Sequence, residues 1–235
     1  MKKVLFGLFA LSTVALAGET NLYLRTGADL NGKYDVFKDE EMKLNKKDAD
    51  EFSWEIAVEA TKEVYANFEL GFGVAYQKHG DPKKFTDIYT YTDPDNDTYD
   101  RVDNYEMPGY TSIPLYVVAK YNFNAINNFV PYVKANLGYS LNDENGDAKY
   151  FGTERDVNTG EVDSESLKAD IKVKNGLYYG IGAGFEYNNF TMDLMYQVNE
   201  AKAELTVDDG YEVEKYKKDY DYSRITLGFG YKFNF

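Results

Sequence analysis

The most informative absences in this chain are those of cysteine, of histidine and of positive charge. Its 235 residues contain no Cys and a single His, which excludes disulfide scaffolds, cysteine nucleophiles and any site that needs two histidines. Lys and Arg number 26 against 40 Asp and Glu, a formal net charge of -14. Because nucleic-acid binding depends on clustered Lys and Arg, this balance argues against a nucleic-acid partner.

Long uncharged runs are scarce, and the most telling one stands at the beginning of the chain. Two lysines precede an uncharged stretch over residues 4–18, which ends in the small-residue pattern Ala-Leu-Ala-Gly. Such a run is too short for a membrane-spanning helix and is typical of a secretory signal peptide. We therefore expect residues 1–17 to be removed on export and residues 18–235 to form one domain.

The chain is rich in aromatic side chains that recur with a two-residue period. Aromatics make up 17% of it, too many for a disordered acidic protein. Apolar and aromatic residues alternate with Gly, polar and charged ones, which is the period of a β-strand. Between residues 64 and 77 all seven even-numbered positions are apolar or aromatic. The alternation predicts eight strands, at about residues 22–30, 52–60, 64–77, 113–123, 131–139, 177–187, 190–198 and 225–235.

The connections between these strands alternate between long and short. The short turns fall near residues 61–64, 124–128 and 188–189, and the long segments cover residues 31–50, 78–111, 142–175 and 200–221. The long segments hold 18 Lys and Arg against 31 Asp and Glu, so they carry nearly all of the negative charge. Within the last one, residues 203–216 predict a hairpin around Asp209-Gly210. Some strands should therefore continue beyond the membrane as protruding ribbons.

Which face of such a sheet meets water distinguishes a soluble barrel from a membrane barrel. A soluble barrel is apolar inside, whereas a membrane barrel turns its apolar side chains to lipid. Here the apolar faces are continuous and end in aromatics, and the opposite faces combine Gly with full charges. The pattern predicts an all-β fold, an eight-stranded antiparallel transmembrane β-barrel with long extracellular loops and short periplasmic turns, in the outer membrane of a Gram-negative bacterium.

The alternation also predicts which charged residues point into the barrel. The inward positions carry five cations and six anions, namely Arg25, Lys120, Lys134, Arg224, Lys232, Asp29, Glu55, Glu59, Glu69, Glu186 and Asp193. Buried charges are tolerated when they are paired, and an eight-stranded interior is just wide enough to be filled by side chains. The simplest hypothesis is a salt-bridged plug, and the alternative is a narrow polar pore.

Residues that could carry chemistry are few. His79 lies at the outer end of a strand with no His-x-Ser or Asp-x-His spacing, and we interpret it as a solvated loop residue. Asp93, Asp95 and Asp97 resemble the start of a calcium loop, but that pattern requires Gly at its sixth position and Glu at its twelfth. The chain has Thr98 and Asn104 there, so this is a weak metal candidate. We expect no enzyme and no cofactor.

The signal peptide, the eight amphipathic strands, the alternating connections and the terminal aromatics resemble the small outer-membrane β-barrels of the OmpA-barrel, OmpX, OmpW and opacity-protein type. The resemblance implies that the last strand serves as a signal for the barrel-assembly machinery, through Phe229, Tyr231, Phe233 and Phe235. It also implies a monomer surrounded by outer-membrane lipid and lipopolysaccharide.

The function predicted on these grounds is non-enzymatic. Acidic extracellular loops would mediate surface interactions in the manner of an adhesin, with host or other cell-surface ligands as partners. The alternative is a narrow, porin-like channel for small solutes or hydrophobic compounds. Conduction through the interior distinguishes the two.

Overall fold

The computed structural model describes residues 20–35, 47–144, 146–208 and 213–235, which form an all-β structure. The predicted signal peptide and the Asp209-Gly210 turn lie outside these residues. No helix in the described part of the chain is long and apolar enough to cross a membrane. The strands are β1 (Asn21–Tyr34), β2 (Lys47–Asp48), β3 (Trp54–Tyr65), β4 (Phe68–Lys78), β5 (Phe85–Thr92), β6 (Thr98–Glu106), β7 (Tyr110–Asn122), β8 (Phe129–Glu144), β9 (Ala148–Asp156), β10 (Val162–Lys174), β11 (Gly176–Tyr187), β12 (Phe190–Asn199), β13 (Lys202–Asp208), β14 (Val213–Asp219) and β15 (Tyr222–Asn234).

Eight of these strands close into an antiparallel barrel, which confirms the predicted fold class. Their order is β15-β12-β11-β8-β7-β4-β3-β1, and β15 pairs back onto β1 from Asn21↔Asn234 to Tyr34↔Tyr222. The short β2 adds to the outer end of β1. Because the sheet closes on itself, the barrel has no free strand edge along its length. A bulge between Asp29 and Asn31 shifts the register of β1 near the mouth.

Two of the three predicted short turns lie where the sequence placed them, and one does not. The chain reverses at residues 123–128 and 188–189, where Asn128 and Asn188 adopt positive φ. The turn predicted near residues 61–64 is wrong, because the chain reverses at residues 66–67 with Asn67 at φ 65°. The polar run at residues 61–63 has the composition of a turn, but it pairs in the ladder with Gly71, Leu70 and Glu69.

The long connections form a second sheet outside the barrel. It has six strands in the order β14-β13-β10-β9-β6-β5. The predicted hairpin over residues 203–216 is confirmed as β13 and β14, paired from Lys202↔Asp219 to Asp208↔Val213. The two hairpins β5–β6 and β9–β10 lie in segments that were predicted only as long connections. Since every one of these strands starts from a long connection, the second sheet stands on the extracellular side of the barrel.

Burial in the barrel is inverted relative to a soluble protein. Large apolar side chains on the outer face are exposed, among them Leu24, Phe72, Leu137, Ile181 and Phe229. The interior holds the buried charges, amides and tyrosines. A cluster of buried apolar residues caps the extracellular mouth and includes Ile171, Val173 and Ala203 from the second sheet. The fold therefore presents lipid-facing apolar surface around a polar interior.

Candidate functional site

The barrel interior is the first candidate site, because every charge predicted to face inward lies there. Two of them, Asp29 and Lys232, are half-buried when backbone and side chain are counted together. Their side chains alone are 3% and 18% exposed. The other nine residues are buried, namely Arg25, Glu55, Glu59, Glu69, Lys120, Lys134, Glu186, Asp193 and Arg224. Alternation along each strand positions them, since successive side chains point to opposite faces of the sheet.

The layer nearest the periplasmic turns centres on Lys120. Its Nζ lies 3.3 Å from Glu186 Oε2 and 3.7 Å from Glu69 Oε1, and it donates a 3.0 Å hydrogen bond to Tyr23 Oη. Lys232 Nζ lies 2.9 Å from the other Glu186 oxygen. Two cations and two anions therefore neutralise one another in this layer.

The middle layer centres on Glu59. Lys134 Nζ donates to both Glu59 carboxylate oxygens at 2.8 and 3.0 Å, and the Tyr116 hydroxyl donates at 2.9 Å. Arg25 Nε lies 3.8 Å from Glu59, and its Nη2 donates to Asp193 Oδ1 at 2.6 Å. Each carboxylate here has a cation within ion-pair distance, as burial of a charge requires.

The layer below the mouth centres on Arg224. Its guanidinium donates to Glu55 Oε2 at 2.9 Å and to Gln197 Oε1 at 3.1 Å, and it lies 3.6 Å from Asp29. It also donates to His79 Nδ1 at 3.0 Å. Across the three layers, each of the eleven inward charges lies within ion-pair distance of at least one opposite charge.

The interpretation of His79 as a solvated loop residue is wrong. Its side chain is fully buried, and its ring lies 4.3 Å from that of Tyr222 and 4.7 Å from that of Tyr110. Because Nδ1 accepts from Arg224, Nε2 carries the hydrogen and donates to Ser112 Oγ at 2.9 Å. The position looked exposed because it directly follows a strand end, but the ring is covered by Tyr110 of β7 and Tyr222 of β15, which belong to the barrel itself.

A collar of tyrosines closes the extracellular mouth, and sequence reasoning missed it. Tyr34, Tyr110, Tyr220 and Tyr222 are fully buried, with ring centroids 4.8 to 6.0 Å apart. Their hydroxyls bond across the mouth, for example Tyr34 to Gly80 O at 2.8 Å and Tyr220 to Pro108 O at 2.8 Å. Three of the four lie in segments that were predicted to be loops, so alternation gave no signal for them.

The extracellular sheet is the second candidate site, and Arg101 lies at the centre of its charges. The guanidinium contacts three carboxylates, donating to Asp103 at 3.1 Å, to Glu154 at 2.9 Å and to Glu165. It also donates to the Tyr150 hydroxyl at 2.7 Å. These hydrogen bonds to Tyr150 and the carboxylates raise the pKa of Arg101. One cation thus ties together strands β6, β9 and β10.

Tyrosines surround this arginine on the same face of the sheet. The Tyr91 hydroxyl donates to Glu154 at 2.7 Å, and this hydrogen bond raises the pKa of Tyr91 to about 12. The same bond, followed by the Arg101 contact, lowers the pKa of Glu154. Tyr91 stacks on Tyr99 at 5.4 Å, and its neighbour Tyr89 reaches Asp103 with its hydroxyl at 3.2 Å. The result is a solvent-facing surface of phenol rings and carboxylates.

The weak metal candidate forms a tight turn between β5 and β6. Asp93 Oδ1 accepts backbone hydrogen bonds from Asp95 at 3.0 Å and Asp97 at 2.9 Å, and Asn96 adopts φ 75°. Asp93 therefore uses one of its two carboxylate oxygens to stabilise the turn. In the part of the chain that the structure describes, no three Asp, Glu, His or Cys side chains are grouped to hold a metal ion.

The terminal aromatics lie on the outer face of β15 and at its end. Tyr231 packs edge-on against Phe190 at 5.1 Å and against Phe233 at 4.9 Å. The four residues of the predicted assembly signal are all exposed, namely Phe229, Tyr231, Phe233 and Phe235. They are placed to contact lipid or an assembly partner.

Comparison with known proteins gives matches that span almost the whole chain. The model of the outer membrane protein β-barrel domain matches residues 4–233. A curated relative is an uncharacterized protein of Pasteurella multocida, 26% identical, with 99% of this chain and 98% of the relative covered.

Solved structures similar to this chain are also outer-membrane proteins. The attachment invasion locus protein Ail of Yersinia pestis is 16% identical, covers 92% of this chain and 99% of its own, and gives a TM-score of 0.34. The outer membrane protein AlkL, solved in lipid bilayers, is 15% identical, covers 93% and 91%, and gives a TM-score of 0.42.

Proposed function

The chain belongs to the outer membrane protein β-barrel family, and from this premise we propose that it is a non-conducting, non-enzymatic surface protein whose extracellular sheet mediates interactions in the manner of an adhesin. It is a protein of the bacterial outer membrane, with outer-membrane lipid around the barrel. We further infer that Phe229, Tyr231, Phe233 and Phe235 are recognised by the barrel-assembly machinery, and that residues 1–17 direct export.

The observation that carries this proposal is the pairing of the interior charges. A conducting lumen needs charged or polar groups that face water, yet the central charges of the three layers, Lys120, Glu59 and Arg224, are buried and each lies against an opposite charge. The tyrosine collar adds a second barrier at the mouth. The channel alternative would require these contacts to open together, at a cost of several kcal/mol for each buried ion that loses its partner.

The extracellular sheet supports the surface role, because it is ordered and carries exposed side chains on both faces. Ile88, Phe151 and Leu167 are about half exposed or more, on strands held in register by β6 and β9. These side chains are therefore available to contact a partner.

Single-channel recording in a planar lipid bilayer tests the proposal. We expect no current steps from the refolded protein once insertion has been verified by protection of the barrel from protease. The variant Tyr34→Ala with Tyr110→Ala opens the collar and leaves the charge layers, and we expect it to stay silent too. Steady, reproducible steps from the unmodified protein would move the function to a channel.

The surface role has its own test, in which bacteria displaying the protein are assayed for adherence to an epithelial cell monolayer. We expect adherence to fall when the β5–β6 and β9–β10 hairpins are replaced by short Gly-Ser turns. Unchanged adherence with a folded barrel would contradict the adhesin-like role.

A further inference from the structure

The extracellular sheet has two edges of opposite character. The edge strand β14 carries Lys215, Lys217 and Lys218, and lysines on an edge discourage pairing with another strand. The other edge strand, β5, has the sequence Phe-Thr-Asp-Ile-Tyr-Thr-Tyr-Thr, with no cation and no proline. This composition of aromatic and β-branched residues is the one that favours strand pairing. Of the two edges, only β14 therefore carries residues that discourage pairing with a further strand.

The outer side of β5 is an unpaired edge in the part of the chain that the structure describes. None of the described strands pairs with that side, and residues 86–92 are all exposed. Antiparallel ladders alternate between residues that bond to the partner strand and residues that face away from it. The Asp93 N–H donates to Asp97 O across the turn, so Asp93 bonds to the β6 side and its neighbour Thr92 faces away from it. The Val157 N–H donates to Thr98 O, so Thr98, the partner of Thr92, bonds to the β9 side, which agrees with this assignment. The backbone groups that face away from β6 belong to Thr86, Ile88, Thr90 and Thr92.

The side chains beside this edge carry surplus negative charge. Asp87 lies directly opposite Asp103 in the ladder, and like charges in that position are destabilising. Arg101 compensates Asp103 but is shared with Glu154 and Glu165. No ion pair of Asp87 occurs in the described part of the chain. A cation next to Asp87 would relieve this repulsion.

Phenol rings extend the same acidic face along the edge. Tyr89 is 42% exposed and Tyr91 is 37% exposed, both on the face that carries Asp87. Faces of Tyr rings attract Lys and Arg side chains, and the nearby carboxylates add to that attraction. In an added strand, every second side chain would lie over Asp87, Tyr89 and Tyr91.

We propose that β5 is a docking edge for an extended, basic polypeptide segment, which adds to the sheet as a seventh strand and places alternate Lys or Arg side chains on the acidic tyrosine face. The inference rests on the proposed surface function and names the chemistry of its partner. Backbone hydrogen bonds to Thr86, Ile88 and Thr90 supply the strand pairing, and the charged face selects basic segments. Pairing of β5 with the β5 strand of a second copy fits less well, since β5 carries Asp87 and no cation.

The experiment uses a fluorescent peptide of about ten alternating Lys and Thr residues, a length that matches an ordinary strand. Its binding to the refolded full-length protein in an uncharged detergent is measured by anisotropy. We expect saturable binding that weakens as salt rises. Two control peptides are tested on the same protein, one with Glu in place of Lys and one N-methylated at every second backbone nitrogen. We expect each control peptide to bind about tenfold more weakly or worse, because it loses the charge match or the strand hydrogen bonds.

Variants of the protein test the same contacts from the other side. Ile88→Pro removes an N–H that faces away from β6, so β5 keeps its own ladder while the edge is blocked. Ile88→Thr keeps the N–H and is the matched control. We expect Ile88→Pro to lower affinity about tenfold and Ile88→Thr to change it by less than about twofold. Asp87→Asn should weaken binding and reduce its dependence on salt.

Several results would overturn strand addition. These are equal binding of the parent and N-methylated peptides, equal binding of the Lys and Glu peptides, or unchanged affinity in Ile88→Pro. Because the N-methylated peptide is tested on the unmodified protein, misfolding of a variant cannot produce its result. If all three peptides bind equally and adherence still requires the hairpins, strand addition is rejected and the proposed surface function is retained.

Discussion

At the scale of single residues, the interior depends on close packing between unlike groups. Glu59 is held by Lys134, Arg25 and the Tyr116 hydroxyl at once. The Tyr116 ring reaches that carboxylate only because residue 73 is a glycine. A Cβ at Gly73 would come within 2.8 Å of the Tyr116 hydroxyl oxygen and closer still to its ring carbons. A missing side chain on one strand therefore positions a hydrogen-bond donor from another.

The Glu59–Lys134 pair gives a prediction at this scale. Lys134→Met alone leaves a buried carboxylate undercompensated, and we expect it to lower the free energy of unfolding by about 3–5 kcal/mol. Glu59→Gln together with Lys134→Met removes both charges, and we expect the double variant to be less destabilised than the sum of the single variants. Denaturant unfolding in detergent, followed by the fluorescence of the single Trp, measures all of these values.

An exposed ion pair serves as the control for the Glu59 and Lys134 variants. Lys84 and Glu106 pair on the extracellular sheet with side chains 69% and 37% exposed. We expect Lys84→Met to change the free energy of unfolding by less than about 1 kcal/mol, because water screens such pairs. Equal costs at Lys134 and Lys84 would mean that the interior is hydrated, contrary to the sealed barrel.

At the scale of elements, charged side chains connect the strands of the extracellular sheet. Glu204 on β13 lies between Lys174 of β10 and Lys217 of β14, each at 2.7 Å. Hydrogen bonds from Lys174 and then Lys217 lower the pKa of Glu204 to about 2. The Glu204 side chain is 23% exposed and both lysines are more than half exposed, so salt screens this contribution to stability.

The lowered pKa predicts how these three strands respond to acid. A carboxylate whose folded pKa lies below its unfolded value stabilises the fold above the unfolded pKa, and that contribution disappears as pH falls through the folded pKa. We expect the Glu204 carboxyl ¹³C resonance to titrate with a midpoint near 2, and Lys174→Met to raise that midpoint toward 4.5. A midpoint that stays near 4.5 in the unmodified protein would show that the two lysines do not hold Glu204.

At the scale of the whole molecule, the buried cluster at the mouth joins the two sheets. The barrel satisfies its own backbone hydrogen bonds by closing β15 onto β1, as a membrane-spanning sheet must. In the described part of the chain, the extracellular sheet has two open edges, and it contributes Ile171, Val173 and Ala203 to the cluster at the mouth. The barrel therefore does not require the outer hairpins to form its ladder.

This division predicts the result of removing the β5–β6 hairpin. We expect a chain in which residues 85–106 are replaced by a short Gly-Ser turn to fold in detergent and to keep the heat-modifiable gel migration of a closed barrel. The same replacement should remove all binding of the Lys-Thr peptide. Loss of the heat shift would show that the outer hairpin is needed for the barrel to close.

The sequence by itself determined the barrel and its interior charges, because the two-residue period of a strand is a local property. A side chain two residues from Glu55 must share its face, so Ala57 and Glu59 could be assigned inward before any fold was known. The membrane environment followed from the same rule, since only lipid accepts so many outward apolar side chains. The prediction of a turn at residues 61–64 was wrong because it rested on local composition alone. These residues pair with β4, and strand pairing depends on residues elsewhere in the chain.

Only the tertiary structure decided which groups meet. The burial of His79, the tyrosine collar and the convergence of three carboxylates on Arg101 all join residues from segments distant in the chain. The contrast between the lysine-rich edge β14 and the edge β5 of the extracellular sheet likewise depends on strand order, which alternation does not encode. Periodicity specifies the direction of each side chain, whereas its partner depends on how the strands are arranged around the barrel and above it.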